Sequence, residues 1–110
     1  MGCVVKHTEG PASIGAAGFF IFYYKHPVDK PPTMIDMVTG QFETGTSGLA
    51  SLWYVDGGGN FHLIDRQALD ATYRYFFHGE HFLLMPGEML KIMFSNPAAA
   101  DQVSWAVNGH

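Results

Sequence analysis

The sequence predicts an all-β fold, a small antiparallel β-sandwich or jelly roll of about eight strands that follows an irregular N-terminal arm. Three observations support this. Short apolar runs are separated by glycine- and proline-containing turns at intervals of roughly 8–12 residues, the spacing typical of sandwiches. Several runs alternate apolar and polar side chains, and no helix longer than about two turns fits between the turns. The 110 residues fit one domain, with the arm at residues 1–18 and the sandwich at residues 19–110.

The arm is predicted because the first eighteen residues contain four glycines and one proline and show little periodicity apart from Val4 and Val5. The first strand is predicted at Phe19–Tyr24, an aromatic run that is apolar on both faces. Pro27 ends it, because proline cannot donate to a strand ladder.

The middle of the chain predicts a strand, a loop and a hairpin. Thr33–Glu43 is the strand, and the small polar residues of Thr44–Gly48 form the loop. Leu49–Asp56 alternates between two faces and meets Gly57–Asn60, which is a strong hairpin signal. Phe61–Asp65 then returns beside it.

The last third predicts four strands and one tight turn. Asp65–Leu69 is a polar interlude in which a single helical turn is possible, and His81–Met85 is a short strand. Pro86-Gly87 predicts the turn, with proline fixing φ at its first central position and glycine taking a positive φ at its second. The other strands are expected at Asp70–Phe77, Glu88–Ser95 and Asp101–Val107.

Composition limits the partners of the protein. Six Lys and Arg against ten Asp and Glu give a net charge of −4 without a basic cluster, which disfavours direct binding to nucleic acid. The longest apolar run, Gly15–Tyr24, has ten residues, whereas a membrane helix needs about twenty, so no membrane partner is expected. The single cysteine, Cys3, rules out an internal disulfide and fits synthesis in a reducing cytoplasm.

Three runs carry more apolar surface than a lone sandwich needs: Phe19–Tyr24, Leu49–Val55 and His81–Met85 are apolar on both faces. One apolar face per strand is enough to close two sheets. Exposed apolar area costs roughly 25 cal/mol per Å², so we expect other copies or another protein to cover the second faces. The predicted interface residues are Phe19, Phe20, Phe22, Tyr24, Trp53, Tyr54, Val4 and Val5.

No pattern points to catalysis, a cofactor or a metal. A cupin-like metal enzyme would need at least three of four histidines to converge, and the chain has no His-x-His pair. His78 and His81 flank a turn and are expected on opposite faces, while acids such as Asp65 and Glu88 are interpreted as ordinary loop charges. The four histidines are His26, His62, His78 and His81. We therefore predict a non-enzymatic protein with no cofactor.

The aromatic side chains leave one alternative open. A flat ring face suits the C–H groups of a sugar, so these rings could form a carbohydrate-binding platform. We favour core and subunit interface for them, because they alternate with small residues. The five rings in question are Trp53, Tyr54, Tyr73, Tyr75 and Trp105.

Three segments, at Thr44–Gly59, Leu83–Ile92 and Ala98–Gly109, resemble in order the small β-sandwich virion proteins of tailed bacteriophages. The resemblance implies a capsid decoration (cement) protein, made in the host cytoplasm, that multimerises on the head, as a trimer by preference, and binds the major capsid protein. The arm and the Pro27–Pro32 loop would reach neighbouring shell proteins. A small tail or fibre component, or a carbohydrate- or receptor-binding module, is the alternative.

Overall fold

The computed structural model describes residues 4–14, 18–43, 48–70, 72–95 and 102–110, and these form nine β-strands in two sheets. The strands are β1 (Val5–Ser13), β2 (Phe19–Lys25), β3 (Thr33–Phe42), β4 (Gly48–Val55), β5 (Phe61–Leu69), β6 (Tyr75–His78), β7 (Phe82–Leu84), β8 (Met89–Ser95) and β9 (Gln102–Gly109). Cys3, residues 44–47 of the predicted Thr44–Gly48 loop and residues 96–101 lie outside the described residues.

The two sheets are antiparallel throughout. Sheet A has the order β1-β9-β3, and both β6 and β7 pair with the remaining edge of β3. Sheet B has the order β2-β8-β4-β5. Among the described strands only β4 and β5 are consecutive in the chain and paired, so most connections cross from one sheet to the other. This confirms the predicted sandwich or jelly roll, with nine strands where about eight were expected.

The prediction of an irregular arm is wrong for Val5–Ser13, because these residues form β1 and pair with β9. Glycine and proline suggested an irregular segment, but a register shift between Glu9 and Ala12 places Gly10 and Pro11 at a β-bulge. Val5 and Ile14 are buried in the core. The sandwich domain therefore includes β1 and does not start at Phe19.

The core lies between the sheets and is built by alternation along each strand. On β9 the side chains of Val103, Trp105 and Val107 are buried. Across the interior, Trp105 stacks on Phe22 of β2, with ring centroids 6.0 Å apart. The strands therefore form because every second side chain leaves water, as the clean alternation of the last segment predicted.

Two predicted turns are confirmed. Gly59 has a φ of 82° and donates to the Asp56 carbonyl at 3.0 Å, which closes the β4–β5 hairpin. Gly87 has a φ of 84°, and Glu88 donates to the Met85 carbonyl at 3.1 Å. Both glycines occupy the left-handed region that other residues avoid.

The region after the hairpin differs from the prediction. β5 runs on to Leu69, which is buried, so Asp65–Leu69 is strand and not a helical turn. The Asp70 carboxylate then accepts hydrogen bonds from the amides of Thr72 and Tyr73 at 2.8 and 2.7 Å. This side-chain turn delays the next strand until Tyr75. None of the described segments is a helix with the length and apolarity needed to cross a membrane.

The two sheets approach each other closely at Gly40 on β3. A β-carbon there would lie 2.6 Å from Cζ of Phe94 and 3.2 Å from Cδ1 of Ile92. We predict that Gly40→Ala lowers the free energy of unfolding by about 1–3 kcal/mol, because the core must expand. Gly57→Ala is the matched control, since nothing lies within 4 Å of its β-carbon. Chemical denaturation checks both, and equal stabilities for the two variants would contradict the close approach.

Candidate functional site

The outer face of sheet B carries an apolar surface. Directly paired residues of neighbouring strands point to the same side of a sheet. One such row crosses all four strands and consists of Tyr23, Lys91, Trp53 and Leu63. We use the name apolar face of sheet B for these outward apolar side chains: Phe19, Ile21, Tyr23, Leu49, Trp53, Phe61, Leu63 and Met93. Three cations, Lys25, Arg66 and Lys91, point to the same side.

Four large side chains of the apolar face are about half exposed. The exposed fractions are 47% for Phe19, 45% for Tyr23, 51% for Phe61 and 47% for Leu63. They lie on two strands, β2 and β5, which are the two edges of sheet B and are joined through β8 and β4. Exposed apolar side chains are ordinary when scattered, but a contiguous patch is typical of an interaction surface.

Two polar groups on this face, the Trp53 indole nitrogen and the Lys91 ammonium, contact neighbouring side chains. Trp53 Nε1 donates to Ser51 Oγ at 3.2 Å. Lys91 Nζ lies 5.6 Å from the ring centroid of Trp53 and 4.9 Å from that of Phe61. Because cation–π contacts hold the ammonium against the rings, the lysine stem adds to the apolar surface.

The predicted interface residues divide between the two sides of the sheets. Phe19 and Trp53 lie on the apolar face, and Val4 is exposed beside β1. Val5 and Phe22 are buried in the core, so the prediction that they form an interface is corrected. The remaining three are partly buried and pack against the core from inside: Phe20, Tyr24 and Tyr54.

Sequence reasoning missed the outward partners of those residues. Along β2 the outward side chains are Phe19, Ile21 and Tyr23, but a run that is apolar on both faces does not reveal which side faces inward. Phe61 and Leu63 were also missed. Their alternation with His62 was a usable signal, because it places two apolar side chains on one face of a hairpin strand.

The five rings considered as a sugar platform do not share one surface. Trp53 is on the apolar face, Tyr54 packs against the core, and Trp105 is buried. Tyr73 lies in the turn before β6, and Tyr75 is on β6 in sheet A. A single platform made of all five is therefore wrong.

Three of the four candidate histidines line one cleft. His62, His78 and His81 face a cavity of about 320 Å³ at the sandwich edge where β5 approaches β6 and β7. His78 and His81 thus share a cleft, contrary to expectation, because the residues between them do not continue a strand. Among the described residues, no three His, Cys, Asp or Glu side chains are placed to hold a metal ion.

The fourth histidine, His26, lies elsewhere and has a structural role. It is fully buried, with Nε2 at 2.7 Å from the Pro31 carbonyl and Nδ1 at 3.1 Å from the Tyr24 hydroxyl. A carbonyl can only accept, so Nε2 carries the proton and Nδ1 accepts from Tyr24. His26 therefore anchors the Pro27–Pro32 loop.

His78 pairs with Asp65 beside the cleft, Nδ1 to Oδ2 at 3.0 Å. Burial raises the pKa of Asp65, but hydrogen bonds from His78, Gln67 and the Arg66 amide outweigh burial and lower the pKa. Gln67 also bonds the backbone of Phe77 at 2.7 and 3.3 Å, which links the two sheets. The described residues that line the cleft include no serine, threonine or cysteine.

Glu88 also departs from its interpretation as a loop charge. Its side chain is buried and accepts hydrogen bonds from the Tyr54 hydroxyl and, at 2.8 Å, from the Met85 amide. The bond to Glu88, burial and the carboxylate charge raise the pKa of Tyr54 to about 12. Glu88 thus fixes the Pro86-Gly87 turn to β4.

Comparison with solved structures places the chain among β-sandwiches. It is similar to the Yersinia pseudotuberculosis-derived mitogen over 100% of its own length and 88% of that chain, with 12% identity and a TM-score of 0.55. It is similar to PirA over 96% of its own length and 93% of that chain, with 12% identity and a TM-score of 0.52. The similarity to the enzymatically active domain of bacteriophage CBA120 tailspike protein 4 covers 96% of this chain but only 17% of that one, with 17% identity and a TM-score of 0.48. No family model and no curated protein matches the chain. At these identities the similarities show the fold alone.

The β4–β5 hairpin contains the most strongly shifted carboxylate of sheet B. Asp56 Oδ2 lies 3.0 Å from His62 Nε2, and Oδ1 accepts from the Gly58 and Asn60 amides at 2.9 and 3.0 Å. The His62 bond, followed by the Asn60 amide, lowers the pKa of Asp56 to about 2. These bonds orient the hairpin that carries Phe61 to the edge of the apolar face.

We predict that His62→Ala raises the pKa of Asp56 from about 2 toward 3.8, its ordinary value. The lowered pKa stabilises the fold above about pH 3.8, and this contribution is lost as the pH falls toward 2. In the variant, the pH range over which Asp56 contributes to the pH dependence of stability should therefore be narrower than about 2 to 3.8. Carboxyl NMR titration measures the pKa, with His81→Ala as the control because His81 is near Asp36 and not Asp56. The same Asp56 pKa in all three proteins would contradict the assignment.

Proposed function

We propose that this protein is a non-enzymatic structural protein of a virus particle, most simply a capsid decoration (cement) protein, and that its copies associate through the apolar face of sheet B. The observation that carries the proposal is the set of four half-exposed large side chains on that face. Three copies that turn this face toward a common threefold axis remove it from water on all three.

The magnitudes favour an assembly with many contacts over an isolated pair. Full burial of a large apolar side chain contributes roughly 1.5–3 kcal/mol, so covering a half-exposed one contributes about 1 kcal/mol. Four side chains on each of two copies then give on the order of 8 kcal/mol, within the range of about 4–15 kcal/mol that association costs. A single contact is weak, but the same contact repeated over a shell adds up.

The resemblance of three segments to small tailed-phage virion proteins supports the placement on a capsid. In this proposal the copies form trimers on the head surface, and the major capsid protein is the other partner. The Pro27–Pro32 loop is the element that reaches the shell, because Val28 is exposed at its tip while His26 holds its base. Neither contact needs a nucleic acid, a membrane or a cofactor.

We predict that Leu63→Lys weakens self-association, because it places a charge on the apolar face beside Trp53. The control is Tyr73→Lys, which puts the same charge at a ring that is 72% exposed in the turn before β6. Sedimentation velocity over a range of concentrations should show oligomers for the wild type and for Tyr73→Lys, and mainly monomer for Leu63→Lys.

The capsid placement has its own test. The purified protein should co-sediment with phage heads that lack a decoration protein, and substitution of Val28 by Asp should reduce the bound fraction without changing self-association. A wild-type protein that is monomeric at every concentration would contradict assembly through sheet B. If the protein forms oligomers but does not bind bare heads, the capsid placement is contradicted, whereas assembly through sheet B is not.

A further inference from the structure

A second surface lies on the opposite side of the molecule, on the outer face of sheet A. It is a groove of about 400 Å³ that runs across β1, β9, β3 and β6. Its floor consists of Ser104 and Ala106 on β9 with Thr39 and Gln41 on β3. Tyr75 forms one wall, and the bulge at Gly10 and Pro11 forms the other. We call this surface the sheet A groove.

The bulge wall can approach the floor because residue 10 is glycine. A β-carbon at Gly10 would lie 2.7 Å from the Val103 carbonyl oxygen, and the φ of Gly10 is 107°. Any other residue would push β1 away from β9 and widen the groove. The glycine and proline that suggested an irregular arm are therefore what shapes this surface.

One carboxylate is held in place at the end of the groove. Glu43 Oε1 accepts hydrogen bonds from Gln41 Nε2 and Ser104 Oγ, both at 2.7 Å. These two bonds, Ser104 first, lower the pKa of Glu43, so the carboxylate is ionised at neutral pH. Two neighbouring strands thus fix the Glu43 side chain in one orientation before any ligand arrives.

Several groups in the groove remain available to a ligand. In the part of the chain that the structure describes, no side chain or backbone group bonds Glu43 Oε2, Gln41 Oε1 or the hydroxyls of Thr8 and Thr39. All four line the groove. They are two acceptors and two hydroxyls, which complement a ligand rich in hydroxyl donors.

From this geometry we propose that the sheet A groove binds a neutral carbohydrate chain. Gln41 Oε1 and the Glu43 carboxylate accept hydrogen bonds from sugar hydroxyls, and the Thr39 hydroxyl can accept or donate one. Tyr75, which is 67% exposed, covers the C–H face of one sugar unit. This site uses only Tyr75 of the rings considered from the sequence, and it depends on polar residues that the sequence did not single out.

The charges in the groove favour a neutral ligand over the common alternatives. Glu43 would repel a phosphate or sulfate group, and the described residues that line the groove include no lysine or arginine to attract one. A lipid or other apolar ligand would leave the buried side of these polar groups unpaired. A hydroxyl-rich neutral chain satisfies them.

The groove and the apolar face belong to different sheets, so the inference goes beyond assembly and does not require it. If both are correct, an oligomer formed through sheet B displays the sheet A groove of every copy to the outside. Several weak sites on one particle would then act together on a glycan-coated surface. The variant Leu63→Lys should bind the same carbohydrate as the wild type, which separates the two proposals.

The test is an NMR titration of the ¹⁵N-labelled full chain with neutral oligosaccharides of gluco, xylo, manno and galacto configuration, each at millimolar concentration. At least one should shift the amides of Thr39, Gln41 and Ser104. Tyr75→Ala and Gln41→Ala should each weaken binding by about tenfold or more, because each removes a main contact. Tyr75→Phe should retain most of the affinity, since the ring face remains.

Two controls keep the result specific. Tyr73→Ala removes an exposed ring outside the groove and should leave the affinity unchanged. Unchanged dispersion of the spectrum shows that each variant is folded. The inference is overturned if none of the oligosaccharides shifts the groove amides, if the shifts map to sheet B, or if a sulfated oligosaccharide binds more tightly than its neutral counterpart.

Discussion

A two-layer sandwich needs only one dry face per sheet, and the rest of this molecule follows from how the two outer faces differ. Strands β9 and β3 alternate in the expected way, with apolar side chains inward and small polar ones outward. Strands β2 and β5 also place large apolar side chains outward. The outer surface of sheet A is therefore mainly polar along β9 and β3, with exposed Tyr75, Phe77 and Leu83 on β6 and β7, whereas the outer surface of sheet B carries apolar side chains at both edge strands.

This difference suggests that the outer faces of the two sheets bind different partners. On the apolar face, Lys91 lies against the rings of Trp53 and Phe61, and Trp53 Nε1 donates to Ser51, so another subunit that covers this part does not leave the Trp53 donor unpaired. The sheet A groove keeps acceptors and hydroxyls unpaired and holds Glu43 in one orientation. A surface of the first kind suits permanent contact, and one of the second kind suits a soluble, hydroxyl-rich ligand.

Much of the fold could be predicted because local signals agreed with the tertiary structure. The hairpin at Gly57–Asn60 and the turn at Pro86-Gly87 require a positive φ, and the glycines that allow it can be identified in the sequence. Strand β1 could not be predicted, because Gly10 and Pro11 interrupt a strand locally and only pairing with β9 shows that they form a bulge. Local patterns do not report a partner strand that lies ninety residues away in the chain.

The functional surfaces were predicted less well than the fold, for a related reason. The sequence shows that strands such as Phe19–Tyr24 carry surplus apolar surface. Which of their two faces points outward depends on the opposing sheet, so the sequence does not tell that Phe22 is buried and that Tyr23 is exposed. Glu88 and Gln41 gave no signal at all. Their roles come from partners on other strands. Glu88 bonds Tyr54 on β4, and Gln41 bonds Glu43, which also accepts from Ser104 on β9.

The central claim is that the apolar face of sheet B is covered when the protein is at working concentration. Hydroxyl-radical footprinting read by mass spectrometry tests this directly, because it measures the solvent access of individual side chains. As the protein concentration rises, oxidation of Phe61 and Leu63 should fall while that of Tyr73 stays constant. Equal oxidation of Phe61 and Leu63 at low and high concentration would contradict it.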